Sequence, residues 1–296
     1  MFSIPVKRDI FSYLGVYWSN IVENKLNISA LQKAAQAFAF ADKHGRYFCA
    51  ACIGFVVLFA LTIAFMGGCG KSGASNAEGR AVLTRSENSP LMYTLPSPNT
   101  KGSVSVEEAL AKRRSHRRFQ NKEVSAAHLS QLLWAAYGIT EPRGGTSLRG
   151  GLRTTPSAGA IYPLEIYVVA GNVQGIEVGM YKYDSETHTI TRTITRDVRN
   201  ELAAAALGQT MVRDAPLAIV YTAVFGRLAG RYGERAQKYA YIEVGHSAQN
   251  IYLQAESLRL GTCAIGAFTN NRVREVLRLP SDEEPIYIMP IGMTGS

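Results

Sequence analysis

The sequence predicts an α+β domain in the last two thirds of the chain. Stretches with the pattern of strands come mostly one at a time between stretches with the pattern of helices, an order typical of a layered sheet with helices. Of the 296 residues, 47% are hydrophobic and 19% are charged, so the chain can bury a sizeable core. A helix predicted over Tyr239 to Leu260 has apolar residues on more than one side, which indicates a place in the core or at a dimer interface.

The chain in front of this domain contains a stretch that predicts a membrane helix. The run from Tyr47 to Gly68 has 22 residues and no charge, which suffices to cross a hydrocarbon layer of about 30 Å. Lys43 and Arg46 precede it, so the positive-inside tendency puts residues 1–46, whose role we cannot assign, in the cytoplasm and the main domain outside.

Two fates of this segment remain open. The run ends in Met66-Gly67-Gly68-Cys69, which resembles a lipoprotein box in which Cys69 would be lipidated after cleavage; the 46 preceding residues would then imply a start downstream of Met1. Alternatively, residues 47–69 are kept as a signal anchor. Residues 70–102, rich in Ser, Gly, Asn and Pro, are predicted to be a linker to the domain at 103–296.

Within the domain, each element has its own signal. Ser105 has capping-box spacing and opens a helix towards Arg114; a second helix begins near Ser125 and stops at Gly138. The later elements follow from periodicity and turn residues: a glycine-rich loop Thr140–Gly151, a strand Leu164–Ala170, a hairpin of Met180–Tyr183 and His188–Ile194, a helix Asp197–Leu207, a strand Leu217–Val224, the helix Tyr239–Leu260 capped by Gly261, a helix Asn271–Leu277 and a strand Pro285–Ile291.

Several function classes lack their sequence signatures. No G-x-G-x-x-G follows a strand, and no P-loop or G-x-S-x-G motif occurs. Cys49 and Cys52 form a C-x-x-C without a second pair, so no metal site is predicted. The net charge of +9 includes a short cluster of basic residues at 112–118, which favours one local anion site over a nucleic-acid surface.

Three separated segments have unusual composition. The basic segment (113–119, RRSHRRF) could hold a phosphate through its guanidinium and hydroxyl groups, or be a solvated turn. The first glycine loop (155–163, TPSAGAIYP) and the second glycine loop (261–268, GTCAIGAF) have small residues that let a planar ligand approach the backbone, or are ordinary connections.

Together, in this order, the three segments resemble the nitroreductase family, and within it the SagB-type branch. The string R-T-T-P-S-A-G-A-I-Y-P-L-E at 153–165 is the most specific part, and the stretch 241–250 resembles the branch's long central helix. The resemblance implies a homodimer with a central mixed sheet flanked by helices and FMN bound between subunits. It also implies an oxidoreductase that passes hydride through flavin N5 and acts on a small molecule or peptide, with NADH or NADPH as the candidate electron donor.

The resemblance assigns a role to each segment. The residues implied to hold the FMN phosphate and ribityl chain are Arg113, Arg114, Ser115 and Arg117. Those implied to come from the partner subunit are Pro156, Ser157, Ala158 and Gly159. Those implied to lie against the flavin ring, with backbone donors towards N5, are Ala264, Ile265, Gly266 and Ala267.

The chain also departs from the family pattern. Ala160 stands where many nitroreductases have Asn, and Arg231-Tyr232 stands where azole-forming members have a Lys-Tyr pair. Arg stays charged and is a poor general base, which argues against azoline oxidation. Tyr232 and His246 are the candidates for catalysis, although a structural role is the simpler expectation for each. The alternative function is a membrane-tethered flavin-fold protein that binds or assembles partners without turnover.

Overall fold

A computed structural model describes residues 81–84, 90–143 and 149–295, and the structural statements below concern these residues. The described helices are α1 (Val106–Lys112), α2 (Ala126–Tyr137), α3 (Arg199–Ala205), α4 (Thr210–Asp214), α5 (Phe225–Tyr232), α6 (Ala236–Ser257) and α7 (Asn270–Leu277). Single turns of 3-10 helix occur at Ala158–Ala160 and Gly233–Arg235.

Eight strands form one sheet, and two more form a separate hairpin. The strands are β1 (Val82–Thr84), β2 (Met92–Thr94), β3 (Ile139–Pro142), β4 (Gly151–Arg153), β5 (Leu164–Ala170), β6 (Gly179–Asp184), β7 (Thr189–Ile194), β8 (Leu217–Ala223), β9 (Leu260–Thr262) and β10 (Glu284–Met293). The large sheet has the order β1-β2-β7-β6-β5-β8-β10-β9, and β3 pairs with β4.

The prediction of a mixed sheet was wrong, because all neighbouring strands of the large sheet are antiparallel. The connection through α5 and α6 does join two strands that run in the same direction, β8 and β9. However, β10 lies between them and runs antiparallel to both. Insertion of this last strand removes the parallel pairing that a helical crossover normally produces.

Helices cover both faces of the sheet. On one face, α2 and α6 pack with Leu132 and Ile251 against strand residues such as Ile166 of β5. On the other face, α3, α4 and α7 pack against strand residues that include Val169. Alternate side chains therefore enter two cores, and every residue of β5 and β8 is buried. The α+β prediction is confirmed.

Most predicted elements are present. Ser105 and Ser125 cap α1 and α2, each accepting a hydrogen bond from the backbone N–H three residues later at 3.1 Å. Strand β5 has the predicted bounds, and the β6–β7 hairpin, α3, β8, α7 and β10 lie within three residues of theirs.

Two of the predicted elements were wrong, and helices α4 and α5 were not predicted. The stretch predicted as a loop from Thr140 to Gly151 instead contributes most of β3 and the first residue of β4. The central helix ends at Ser257, and Gly261 is not its cap but a residue of β9. A Cβ at Gly261 would lie 2.7 Å from Cβ of His116, so this glycine serves close packing. Helices α4 and α5 had no sequence signal that we recognised.

The residues that the structure describes include only part of the N-terminal region for which predictions were made. Strands β1 and β2 lie inside the segment predicted to be a linker, and β2 pairs with β7, so the folded region extends in front of Ser103. Within the described ranges, no helix is long and apolar enough to cross a membrane. The predicted span at 47–68 and Cys69 lie outside those ranges.

Candidate active site

The hydroxyl of Tyr252, on α6, holds two of the three unusual segments together. It lies 3.1 Å from Oγ of Ser115 in the basic segment and accepts a hydrogen bond of 2.8 Å from the backbone N–H of Ala264 in the second glycine loop. The guanidinium carbon of Arg113 is 5.3 Å from the centre of the Tyr252 ring, within range of a cation–π contact. The two segments also pair directly, since His116 N–H donates to Thr262 at 2.9 Å.

The basic segment presents its residues alternately to two sides. Arg113 and Ser115 contact Tyr252, whereas Arg114 donates to the carbonyls of Ala111 and Arg113 and helps to line a separate cavity of about 450 Å³. Arg117 is exposed, and neither it nor Arg113 has a carboxylate partner in the described part of the chain. The structure thus gathers Arg113 and Ser115 at the second glycine loop but does not place Arg114 with them.

Only part of the second glycine loop has free backbone donors. Ile265 is buried and exchanges two backbone hydrogen bonds with Ile288, at 2.9 and 3.0 Å, and Ala264 N–H is used by Tyr252. Gly266 and Ala267 are exposed, and their N–H groups have no partner among the residues described. Of the four residues, the ones whose N–H groups remain available to a ligand are thus Gly266 and Ala267.

The first glycine loop is anchored elsewhere on α6, at the buried carboxylate of Glu243. Ser157 donates its hydroxyl proton to Glu243 Oε2 at 2.5 Å and accepts the backbone N–H of Tyr162 at 2.9 Å. Tyr137, at the end of α2, donates to Glu243 Oε1 at 2.5 Å. Gly159 has a φ of 61°, so the turn of this loop uses the left-handed region.

Burial raises the pKa of Glu243 to about 7, although the hydrogen bonds from Ser157 and Tyr137 and the charges of Arg153 and Arg149 oppose the rise. Burial, followed by the neighbouring carboxylate, raises the pKa of Tyr137, so its hydroxyl keeps its proton and remains a donor. The guanidinium of Arg153 lies 4.4 Å from the ring centre of Tyr137. Glu243 is thus a carboxylate that can take up a proton near neutral pH.

The two anchor points lie on opposite faces of α6. Glu243 and Tyr252 are nine residues apart, which is about two and a half helical turns and about 13 Å along the axis. Within one chain, Ser157 and the two segments that meet at Tyr252 are therefore held at different turns of α6, although Thr155, at the start of the first glycine loop, accepts a hydrogen bond of 3.1 Å from Asn250.

The two catalytic candidates occupy different positions. His246 is exposed on α6, and Tyr232 packs edge-on against Tyr239, with ring centres 4.9 Å apart. A Cβ added to Gly159 would lie 2.7 Å from Oη of Tyr232 and 2.8 Å from Nη1 of Arg231, so both side chains pack against the first glycine loop. Tyr232 is therefore at the loop that the resemblance assigns to the flavin, whereas no described contact ties His246 to it.

The sequence analysis missed the anchors themselves, which are Glu243, Tyr252 and Tyr137. Glu243 could have been found, because helical spacing puts this acid on the buried face with Ala240 and Ser247. Tyr252 and Tyr137 gave no such signal, since a tyrosine on an apolar helix face is ordinary.

Residues 110–293 match the sequence pattern of the Nitroreductase family, which is more than half of the chain. The chain belongs to this family. Membership makes it a nitroreductase-family oxidoreductase, and the antiparallel sheet with helices on both faces is the nitroreductase-like fold.

Individual relatives agree with this assignment. A protein of Methanocaldococcus jannaschii named as a candidate nitroreductase is 44% identical over 189 residues, which are 64% of this chain and 91% of that protein. The crystal structure of a candidate nitroreductase from Ralstonia eutropha JMP134 has a TM-score of 0.59 and 31% identity, covering 74% of this chain and 95% of that one. The trifolitoxin-processing protein TfxB of Rhizobium leguminosarum bv. trifolii is 30% identical over 134 residues, which are 43% of this chain and 35% of that protein.

Replacement of Tyr252 by Phe tests the contact between the basic segment and the second glycine loop. The change leaves the Ala264 N–H without its acceptor, so we expect the free energy of unfolding to fall by about 1–3 kcal/mol in urea titrations. Tyr239→Phe is the matched control, because the Tyr239 hydroxyl has no hydrogen bond to any described residue. Equal stabilities of the two variants would contradict this account of Tyr252.

Proposed function

We propose that the protein is an FMN-dependent oxidoreductase of the SagB-type branch that works as a homodimer on a small molecule or peptide. The observation that supports the proposal is the placement of Glu243 and Tyr252 on opposite faces of α6, because Ser157 and the residues that meet at Tyr252 are then held on different sides of this helix. In the proposed homodimer, the first glycine loop of one copy would complete the flavin site of the other. When bound, FMN provides hydride transfer at N5, with NADH or NADPH as possible electron donor.

Residues of the basic segment and the second glycine loop, which meet at Tyr252, fit the phosphate and ring of FMN. Arg113 and Arg117 are cations without a carboxylate partner in the described ranges, as a phosphate site requires, and Ser115 adds a hydroxyl. Gly266 and Ala267 offer free backbone N–H groups on an exposed turn of small residues, which suits a flat ring with hydrogen-bond acceptors along its edge.

The exposed face of α6 supports the dimer. Tyr241 and Ile242 are 45% and 46% exposed, which is unusual for large apolar side chains in the middle of a long helix. Gly245, one turn further on, has open space where a side chain would stand, so another backbone can approach closely there. Helices α6 of two copies packed against each other would cover these residues.

The substrate proposal rests on the first glycine loop and on one relative. Arg231 lies against Gly159 and carries a permanent charge, so it suits an anionic group such as a carboxylate better than it suits proton abstraction. TfxB is named for the processing of trifolitoxin, which favours a peptide substrate over a nitro compound or quinone.

We also propose that residues 47–69 attach the chain to a membrane with the flavin domain on the extracytoplasmic side. The full chain is then expected in the membrane fraction after an alkaline carbonate wash, and a protease added to intact spheroplasts should cleave the domain. Cys69→Ser distinguishes the two fates, because it abolishes lipid labelling if Cys69 is modified and changes nothing if the helix is retained. Recovery of the full chain in the soluble fraction would contradict membrane attachment.

Flavin binding is tested with the full chain purified in detergent. We expect a yellow protein whose flavin spectrum bleaches with NADH or NADPH, and Arg113→Ala should weaken FMN binding by about tenfold or more, since it removes a charge-assisted hydrogen bond. Lys122→Ala, which removes a cation from the exposed surface, is the control. A colourless protein that takes up no FMN would refute the proposal. Bound FMN that neither nucleotide nor any electron acceptor alters would favour the binding or assembly protein.

Gly245→Arg tests the shared site. Open space at Gly245 lets one chain accept the side chain, whereas a helix packed on this face would be pushed away. We expect a monomer in light-scattering measurements, unchanged helical circular dichroism and weaker FMN binding. Ala204→Arg is the control, since Ala204 is exposed on α3, away from α6. A variant that remains dimeric would contradict packing through this face of α6, and a monomer that binds FMN as tightly as the natural chain would place the site within one copy.

A further inference from the structure

The polar network behind the first glycine loop leaves Ser157 with a single hydroxyl proton and two fixed partners. In the arrangement described, that proton goes to Glu243 Oε2 at 2.5 Å, and the Ser157 oxygen accepts the N–H of Tyr162 at 2.9 Å. One lone pair of the oxygen remains for any further partner. When Glu243 is negatively charged, Ser157 can therefore only accept a hydrogen bond from any further partner, because its single proton is used by Glu243.

A neutral Glu243 reverses this arrangement. Tyr137 already donates to Oε1, so a proton on Glu243 sits on Oε2 and is donated to the Ser157 oxygen. The oxygen then accepts two hydrogen bonds, from Glu243 and from Tyr162, and the proton of the serine hydroxyl turns away from the carboxyl group. Ser157 becomes a donor towards the open side of the loop.

We infer that Glu243 is a positioning residue that decides whether Ser157 presents a proton or a lone pair to the flavin, an inference that rests on the proposed function. Glu243 is buried, and its two oxygens accept hydrogen bonds from Tyr137 and Ser157, so its carboxyl group acts on a ligand through these two residues and not by direct contact. Because the first glycine loop would face the flavin held by the other copy, the protonation of one chain would be read at the site of its partner.

The groups that surround Glu243 keep this change within reach of neutral pH. Burial favours the neutral form, whereas the donors Tyr137 and Ser157 favour the charged form, as do the cations Arg153 and Arg149. The opposing effects place the pKa of Glu243 at about 7. Above this value Ser157 presents a lone pair on the open side of the loop, and below it Ser157 presents its hydroxyl proton there.

The first measurement needs no flavin. In infrared difference spectra of the full chain between about pH 5.5 and pH 8.5, a buried carboxyl group that titrates near neutrality gives a carbonyl band that disappears as the pH rises. We expect this band in the natural chain and in Ser157→Ala, and not in Glu243→Gln. A spectrum without the band, or a band that persists in Glu243→Gln, overturns the inference whether or not FMN binds.

The second measurement uses the flavin-loaded protein. A donated hydrogen bond that is lost as the pH rises from about 6 to about 8 should weaken FMN binding about two- to tenfold, with a step in the flavin absorption spectrum. Glu243→Gln, whose amide stays neutral, should keep the low-pH spectrum throughout, and Ser157→Ala should show no step. The FMN phosphate itself titrates near this range, so Glu275→Gln, an exposed acid, supplies the baseline. A step that survives in Glu243→Gln overturns the inference.

Tyr137→Phe keeps the test decisive if Glu243→Gln does not fold. Loss of the Tyr137 hydroxyl removes a hydrogen bond that favours the charged carboxylate, so the midpoint of the infrared change and of the flavin step should rise by about one to two pH units. An unchanged midpoint would show that the titrating group is not Glu243. A protein that binds no FMN yet shows the infrared change refutes the proposed function and leaves Glu243 as a titrating group of unassigned purpose.

Discussion

The packing of α6 against the sheet fixes the positions of Glu243 and Tyr252, the two residues that anchor the segments of the candidate site. Its buried face carries alanines, such as Ala240 and Ala248, together with Val244 and Ile251. Small side chains let the helix approach the sheet and α2 closely, and a closely packed helix cannot rotate without breaking the core. The rotation of α6 then determines that Glu243 points inward and that Tyr252 lies on the opposite face.

This arrangement explains why polar groups are tolerated within the core. A buried carboxylate is costly unless it is hydrogen-bonded, and the two oxygens of Glu243 accept hydrogen bonds from the hydroxyl groups of Tyr137 and Ser157. The network also joins α2, α6 and the first glycine loop, so the loop is held by buried residues rather than by its own short sequence. Tyr252 likewise joins two segments, because its hydroxyl group accepts a hydrogen bond from the Ala264 N–H and contacts the hydroxyl group of Ser115.

Local patterns in the sequence were enough for most helices and for the long strands, but not for the long-range pairing of the strands. Ser125 and Gly138 bound α2 as predicted, and the apolar run of β5 identified a buried strand, since capping and periodicity are properties of neighbouring residues. Gly261 was misread as a helix cap because its role depends on the approach of His116, which lies far away in the sequence. The antiparallel sheet likewise depends on where β10 inserts, a choice that no local pattern records.

In the candidate site, too, the composition of the segments could be interpreted from the sequence, whereas the hydrogen-bond partners of their residues could not. Small residues identified both glycine loops, because close approach to a ligand requires the absence of side chains. Which amides remain free was decided by distant residues, as Ile288 takes the N–H of Ile265 and Tyr252 takes that of Ala264. Equally, Ser157 looks like one more small loop residue until Glu243 is placed behind it. In this family member, small residues leave space at the loops, and partners on α6 and β10 determine which hydrogen bonds the loops can offer to a ligand.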